Sequence, residues 1–250
     1  MKILIIGYGV VGKNMHKVFP EADICDPEQG RKPMTKNYDL GFVCVPTPML
    51  KDGSCDTSIV KDAIAENMAR VKVFCIRSTI PPGTTTEIKT VLDFHKVTFM
   101  PEYFGETIHA NGHDYDFIII GGHRQDTAVV AEAYTQVKHS RLKIYQTDTA
   151  TAELTKYMEN CWLATKVTFC NEFYRIAEKI GVDYNELREL WLADPRIDRS
   201  HTWVFEDQPY YDSKCLNKDI PALIRFAEKE KYSPGLMIAV ETTNERHKAR

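Results

Sequence analysis

The first half of the chain alternates short apolar runs with longer stretches whose apolar residues recur at helical spacing. Lys2–Ile6, Ala22–Asp26, Leu40–Val45, Val71–Arg77, Val97–Met100, Phe117–Ile120 and Leu142–Gln146 read as strands. They are continuously apolar rather than alternating, which suits strands of a parallel sheet buried on both faces. Helices are expected between them at Val10–Phe19, Thr57–Ala69, Thr84–Phe94 and Asp126–Lys138. Asp56 is the expected N-cap of the second, and Pro82-Gly83 punctuates the start of the third. This rhythm predicts an α/β domain with a Rossmann-like, open, mostly parallel, doubly wound sheet.

The strand signal then stops. Ala150–Ile180 is one long helical pattern, carrying Leu154, Tyr157, Met158, Cys161 and Trp162 and closed by Gly181 as a C-cap. Asn185–Leu192, Asp219–Lys231 and Pro234–His247 read as further helices, and Asp194–Lys214 as irregular. The division is a dinucleotide-binding domain over 1–145 and an all-α domain with a long central helix over 146–250. That helix is apolar around much of its circumference, with Trp162, Phe169, Phe173 and Tyr174 among its residues. Such a helix is buried on several sides, so a homodimer built on it is expected.

Composition narrows the partners. The 250 residues are 43% hydrophobic and 27% charged, with a formal net charge of -3. That balance gives no bulk basicity to attract nucleic acid. The apolar runs fall far short of the roughly 20 residues that a membrane-spanning helix needs. The N-terminal run ends at Gly7, too soon for a secretory signal. Seven cysteines without a C-x-x-C pair argue against metal knuckles and dithiol redox chemistry, so no metal is expected. Cys25, Cys44 and Cys75 lie in strand-like runs and read as small core hydrophobes. A reduced, cytoplasmic chain is the resulting expectation.

Three patterns carry chemistry. The first strand runs into Gly7-Tyr8-Gly9-Val10-Val11-Gly12, a G-x-G-x-x-G that opens a helix. Gly7 permits the tight turn, Gly9 the approach of a pyrophosphate, and Gly12 close packing of helix on strand. Asp26, 19 residues after Gly7, stands where a carboxylate takes ribose hydroxyls, which favours NAD over NADP. Lys156 and Asn160 share a helix face at i, i+4: either a solvated edge, or a lysine and an amide aimed at a substrate oxygen. Cys215 lies between Lys214 and Lys218, just before the expected helix start. Positive charge and a helix N-terminus favour a thiolate there.

Together these patterns resemble the UDP-glucose/GDP-mannose dehydrogenase family. The resemblance is carried, in order, by Gly7–Gly12, Val45-Pro46-Thr47-Pro48, Ser78–Thr85 and Pro101-Glu102-Tyr103-Phe104-Gly105-Glu106. It continues through Glu153–Asn160, Asp194-Pro195-Arg196-Ile197 and Cys215-Leu216-Asn217-Lys218-Asp219. The resemblance implies NAD as cofactor and a nucleotide sugar as substrate, with UDP-glucose leading. The sugar C6 alcohol would be oxidised to the carboxylate by two hydride transfers, in the service of polysaccharide biosynthesis. Cys215 would form a thiohemiacetal and then a thioester. Lys156 and Asn160 would stabilise developing charge on the substrate oxygen. Asp219 and Thr79 would position a water for proton transfer, and Glu102 would assist thioester hydrolysis and contact substrate. Gly7, Gly9, Val10, Val11, Gly12, Asp26, Val45, Pro46, Thr47, Ser78 and Thr79 would line the cofactor, with Glu106 and Lys218 framing the nicotinamide. Arg196 would reach a neighbouring subunit's active site.

The chain also departs from the family. Asp212 and Ser213 stand where the family has two glycines before the cysteine, and side chains there would crowd the sugar. Pro27–Asp39 is short for a crossover with its own helix. The resemblance stops near the end of the central helical domain, short of the C-terminal UDP-binding domain. A separate chain is then one source for the missing substrate domain. Two other classes fit part of the pattern. A 6-phosphogluconate-type 3-hydroxyacid dehydrogenase also uses Lys-x-x-x-Asn but needs no cysteine. A non-catalytic NAD-binding or dimerising partner would not need Lys156, Asn160, Cys215 and Asp219 together.

Overall fold

A computed structural model describes residues 1–103, 116–138 and 141–249. Among the described residues the chain divides into two compact units. The first comprises Met1–Leu50 and Cys55–Lys156, the second Lys51–Ser54 and Tyr157–Arg250.

The first unit is built on β1 (Ile3–Ile6), β2 (Asp23–Cys25), β3 (Tyr38–Val43), β4 (Val71–Ile76), β5 (Val97–Phe99), β6 (Phe117–Gly121) and β7 (Lys143–Thr147). They form one sheet in the order β2-β1-β3-β4-β5-β6-β7. All neighbours are parallel except β5 and β6, which meet antiparallel at Phe99 and Gly121. Its helices are α1 (Val10–Val18), α2 (Ser58–Asn67), α3 (Thr84–Leu92) and α4 (Arg124–Val137).

The apolar runs are continuous because both faces are covered. Leu4 and Ile6 point into a core with Val60 and Ile64 of α2 and Ile88 of α3. Ile5, between them, points to the other face with Met15 of α1 and Val130 and Tyr134 of α4. Successive strand side chains alternate faces, so a run with no polar position means two dry faces. Between β2 and β3 the described chain makes only a 3₁₀ turn, Pro27–Gln29. The chain leaves β1 toward β2 and returns past it to β3. The β1/β3 junction is therefore the topological switch point, where open α/β sheets bind ligands beyond the strand C-termini. β7 pairs with β6 through Thr147, so the sheet runs past residue 145. The first unit also takes in the opening turns of α5 (Thr149–Ile180).

The second unit holds the rest of α5 with α6 (Tyr184–Trp191), α7 (Lys214–Lys229) and α8 (Gly235–Lys248). Cys161, Ala164, Leu216, Ile220, Ile224 and Val240 form one core. Cys170, Ala177 and Tyr184 form another. Gly181 ends α5 at φ +72°, and Val182 N–H reaches back to the Ala177 carbonyl at 2.9 Å. The other helix starts fall within two residues of the sequence expectation; α2 differs in its cap and α7 by five residues. Thr57, not Asp56, is the N-cap of α2, and Asp56 accepts from Ser58 N–H at 2.9 Å. α7 begins at Lys214 rather than Asp219, because Ser213 caps it and Pro221 is carried inside the helix.

Candidate active site

The glycine turn sits at the switch point. Gly7 has φ +89°, and a Cβ there would meet the Cys44 carbonyl oxygen at 2.7 Å. A Cβ on Gly12 would meet the Gly7 carbonyl oxygen at 2.0 Å, so α1 packs on the turn only with glycine at this position. Gly9 has nothing within 4 Å of its own Cβ position. α1 has Gly9 as its N-cap and no side-chain cap, so its first-turn N–H groups face this open side. The residue pattern therefore fits a dinucleotide pyrophosphate. Asp26 is buried at the end of β2 and accepts from Tyr8 N–H (2.7 Å) and Gln29 N–H (3.1 Å). That fixes its carboxylate beside the turn, where ribose hydroxyls would lie.

Val45, Pro46 and Thr47 follow β3, and Ser78 and Thr79 follow β4. The two segments are stitched together. Ser78 Oγ donates to the Val45 carbonyl at 2.6 Å, and Thr47 Oγ1 donates to the Thr79 carbonyl at 2.9 Å. Beyond β5, Glu102 is buried and ion-paired to Arg77 at 2.8 Å. Arg77 also donates to the Met100 and Pro101 carbonyls at 2.9 and 2.6 Å. Lys156, buried on α5, sets its amine over the Tyr103 ring at 5.1 Å. The structure thus brings Gly7–Gly12, Asp26, Val45–Thr47, Ser78, Thr79, Glu102 and Lys156 into one unit. Glu106 lies outside the described residues.

The second unit carries Asn160, Cys215, Lys218, Asp219 and Arg196. Asp219 is fully buried. One of its oxygens accepts from Asn160 Nδ2 at 2.6 Å, the other from Lys218 Nζ at 2.5 Å. A buried carboxylate needs such partners, because an unpaired one would be very costly. Cys215 is exposed on the first turn of α7, inside the helix rather than before it. Its thiol stands near the positive end of the helix dipole. Cys161, by contrast, is buried, and burial followed by the Asp219 charge pushes its thiol up to about 12. Arg196 is exposed and paired with Asp194.

The residues in place of the family glycines fit without strain. Ser213 has φ -97° and ψ 149°, extended backbone open to any residue. Its hydroxyl accepts from Leu216 N–H at 3.1 Å. Asp212 pairs with Lys248 at 2.9 Å and accepts from Asn217 Nδ2 at 2.5 Å. Both side chains are engaged by α7 and α8.

Several structural anchors escape a reading by motif. Asn244 on α8 binds both the N–H and the carbonyl of Tyr211 (2.8 and 3.0 Å), fixing the approach to α7. Lys166 holds Asp198 at 2.8 Å and Ser200 at 2.8 Å, fixing the segment after Arg196. Glu153 is fully buried and accepts from Gly83 N–H (2.6 Å), Thr85 N–H (2.9 Å) and the Thr85 hydroxyl. Burial raises its pKa, against the pull of those donors. Glu153 opens the Glu153–Asn160 motif, but neither its role nor that of Asn244 or Lys166 shows within a single element.

Comparison with known proteins settles the family. Residues 29–138 match the NAD-binding domain of the UDP-glucose/GDP-mannose dehydrogenase family, and residues 150–246 match its central domain. The chain belongs to the UDP-glucose/GDP-mannose dehydrogenase family. The UDP-glucose 6-dehydrogenase of Rickettsia prowazekii is 30% identical over 218 residues, covering 84% of this chain and 50% of that protein. A UDP-glucose 6-dehydrogenase of Bacillus subtilis is 31% identical over 223 residues, covering 84% and 49%. The chain therefore spans about half the length of these relatives. Among solved structures, a UDP-glucose dehydrogenase of Pyrobaculum islandicum superposes with a TM-score of 0.82 at 23% identity, covering 98% of this chain and 68% of that one. A UDP-D-ManNAc dehydrogenase of Pyrococcus horikoshii gives 0.80 at 23%, covering 100% and 69%. These two show the fold. Most of the stretch that matches the family's NAD-binding domain lies in the first unit, and the cofactor is NAD.

Among the described residues no group of His, Cys, Asp or Glu comes together that could hold a metal ion. None of the described helices is long and apolar enough to cross a membrane.

Proposed function

We propose that the chain is the cofactor- and nucleophile-bearing part of an NAD-dependent nucleotide-sugar dehydrogenase. Its substrate is UDP-glucose and its product UDP-glucuronate. The reading rests above all on the buried Asn160–Asp219–Lys218 cluster, which lies on α5 and on the same α7 turn region that exposes Cys215. A structural helix pair would not need a buried carboxylate saturated by an amide and an ammonium.

NAD, when bound, accepts one hydride in each of two oxidation steps. Lys156 and Asn160 hold the C6 oxygen and stabilise the charge that develops on it. A water positioned by Asp219 and Thr79 takes the C6 hydroxyl proton as hydride leaves C6, giving the aldehyde. The Cys215 thiolate then attacks the aldehyde carbon, and the oxygen takes a proton to give a thiohemiacetal. Loss of hydride from that carbon leaves a thioester. Water then adds to the thioester, with Glu102 assisting. The C–S bond breaks, releasing the carboxylate and regenerating the thiol. Lys218, with Glu106, frames the nicotinamide side. Arg196 serves a neighbouring subunit's site in a homodimer built on α5. Residues outside these 250, in the same or another chain, complete the nucleotide pocket.

The test is stoichiometric. Purified protein, NAD and a panel of nucleotide sugars should yield two NADH per UDP-glucose consumed. Cys215→Ser should stop turnover or trap an ester visible by intact mass. Full activity of that variant at one NADH per substrate would move the chain to the single-hydride 3-hydroxyacid class.

A further inference from the structure

Glu153 joins α5 to the start of α3, two parts of the first unit far apart in sequence. A fully buried carboxylate is tolerated only when its oxygens are satisfied. Its donors all come from the start of α3: the N–H groups of Gly83 and Thr85 and the Thr85 hydroxyl. Gly83 is the N-cap of α3 at φ +89°, so this helix start has no cap side chain of its own. The cap comes instead from α5, which also favours a carboxylate at the positive helix end. The loop before it, Ser78–Gly83, carries Thr79. Its near end is pinned by the Ser78–Val45 and Thr47–Thr79 bonds, and its far end by Glu153. On α5, Glu153 and Lys156 are three residues apart and share a face.

We infer that Glu153 is a positioning residue that holds the Thr79 loop in register with Lys156. This rests on the dehydrogenase reading, in which Thr79 and Lys156 act on one substrate carbon. A carboxylate that merely capped α3 would change stability when altered. One that sets the register changes the chemical step as well.

The experiment uses the full chain with Glu153→Gln, Glu153→Asp and Thr85→Val. Glutamine keeps the size but turns an amide NH2 toward backbone donors. Hydrogen exchange at Gly83–Thr85 should quicken at least tenfold in Glu153→Gln. Its kcat should fall at least tenfold, with KM for NAD within threefold of wild type. Glu153→Asp should recover part of the kcat, and Thr85→Val should fall between. A Glu153→Gln protein that melts lower but keeps kcat within threefold overturns the inference, as does unchanged exchange. If Glu153→Gln does not fold, Thr85→Val decides on the same two readouts. If wild type itself oxidises no nucleotide sugar, the proposed function fails, and the exchange measurement alone decides whether Glu153 holds the loop.

Discussion

Burial sorts the cysteines into inert and available. Desolvation pushes the Cys75 thiol up to about 11 and the Cys161 thiol to about 12, and raises Cys44 and Cys170 as well. Cys215 is exposed on a helix start. Iodoacetamide at pH 8 should therefore alkylate Cys215 in the folded chain while Cys44, Cys75, Cys161 and Cys170 react only after unfolding. Peptide mass mapping checks it, and early labelling of Cys75 would contradict the assignment. Single residues were legible in sequence where spacing encodes geometry. Gly7, Gly12 and Asp26 announce themselves because one turn forces all three. Glu153 and Arg77 do not, since their partners lie 68 to 70 and 25 residues away in sequence.

Elements were legible where one face pattern dominates. The β-α rhythm of the first unit is such a pattern, because dry strands and amphipathic helices differ in period. The start of α7 was hidden by Pro221, whose missing N–H ordinarily marks a helix edge; here it costs one bond to the Asn217 carbonyl within a helix that Ser213 has already capped. The segment from Asp194 to Ser213 shows no period at all, yet Lys166 ties it to α5 through Asp198. Lys166, then Ser200, holds the Asp198 carboxyl below its ordinary 3.8. A lowered carboxylate contributes stability that is present above the ordinary value and lost as pH falls through the lowered one. Asp198→Ala leaves the buried Lys166 ammonium without its counterion. Its melting temperature should drop by about 2–8 °C at pH 7, the effect of about 1–2 kcal/mol in a chain of this size. The gap should narrow as pH falls through the lowered carboxyl range, where wild type loses the same charge. Calorimetry across pH 2–7 tests this, and a constant gap would count against the ion pair.

At the scale of the whole molecule, the mostly parallel, doubly wound sheet followed from the β-α rhythm, whereas assembly leaves a weaker trace. Met158, Trp162, Phe169, Phe173, Ile176 and Ile180 are all exposed on α5. At about 100° per residue they fall within an arc of roughly 60°, a stripe rather than scattered apolar positions. The proposed homodimer would cover it. Light scattering at micromolar concentration should give twice the chain mass, and Trp162→Glu with Phe169→Glu should give the monomer; a monomeric wild type would remove the proposal and with it the cross-subunit role of Arg196. The chain's path between its compact units has a practical consequence. It passes from one unit to the other after Leu50, after Ser54 and after Lys156. Neither unit is a contiguous stretch. Lys51–Ser54 belongs with the helical unit, where Arg225 Nε donates to the Asp52 carbonyl at 2.7 Å. The last of the crossings falls inside α5, where there is no loop for a protease to open. No single cut yields two whole pieces: a gene truncated after Lys156 would keep the strap that the other half requires, and a clone starting at Tyr157 would lack it.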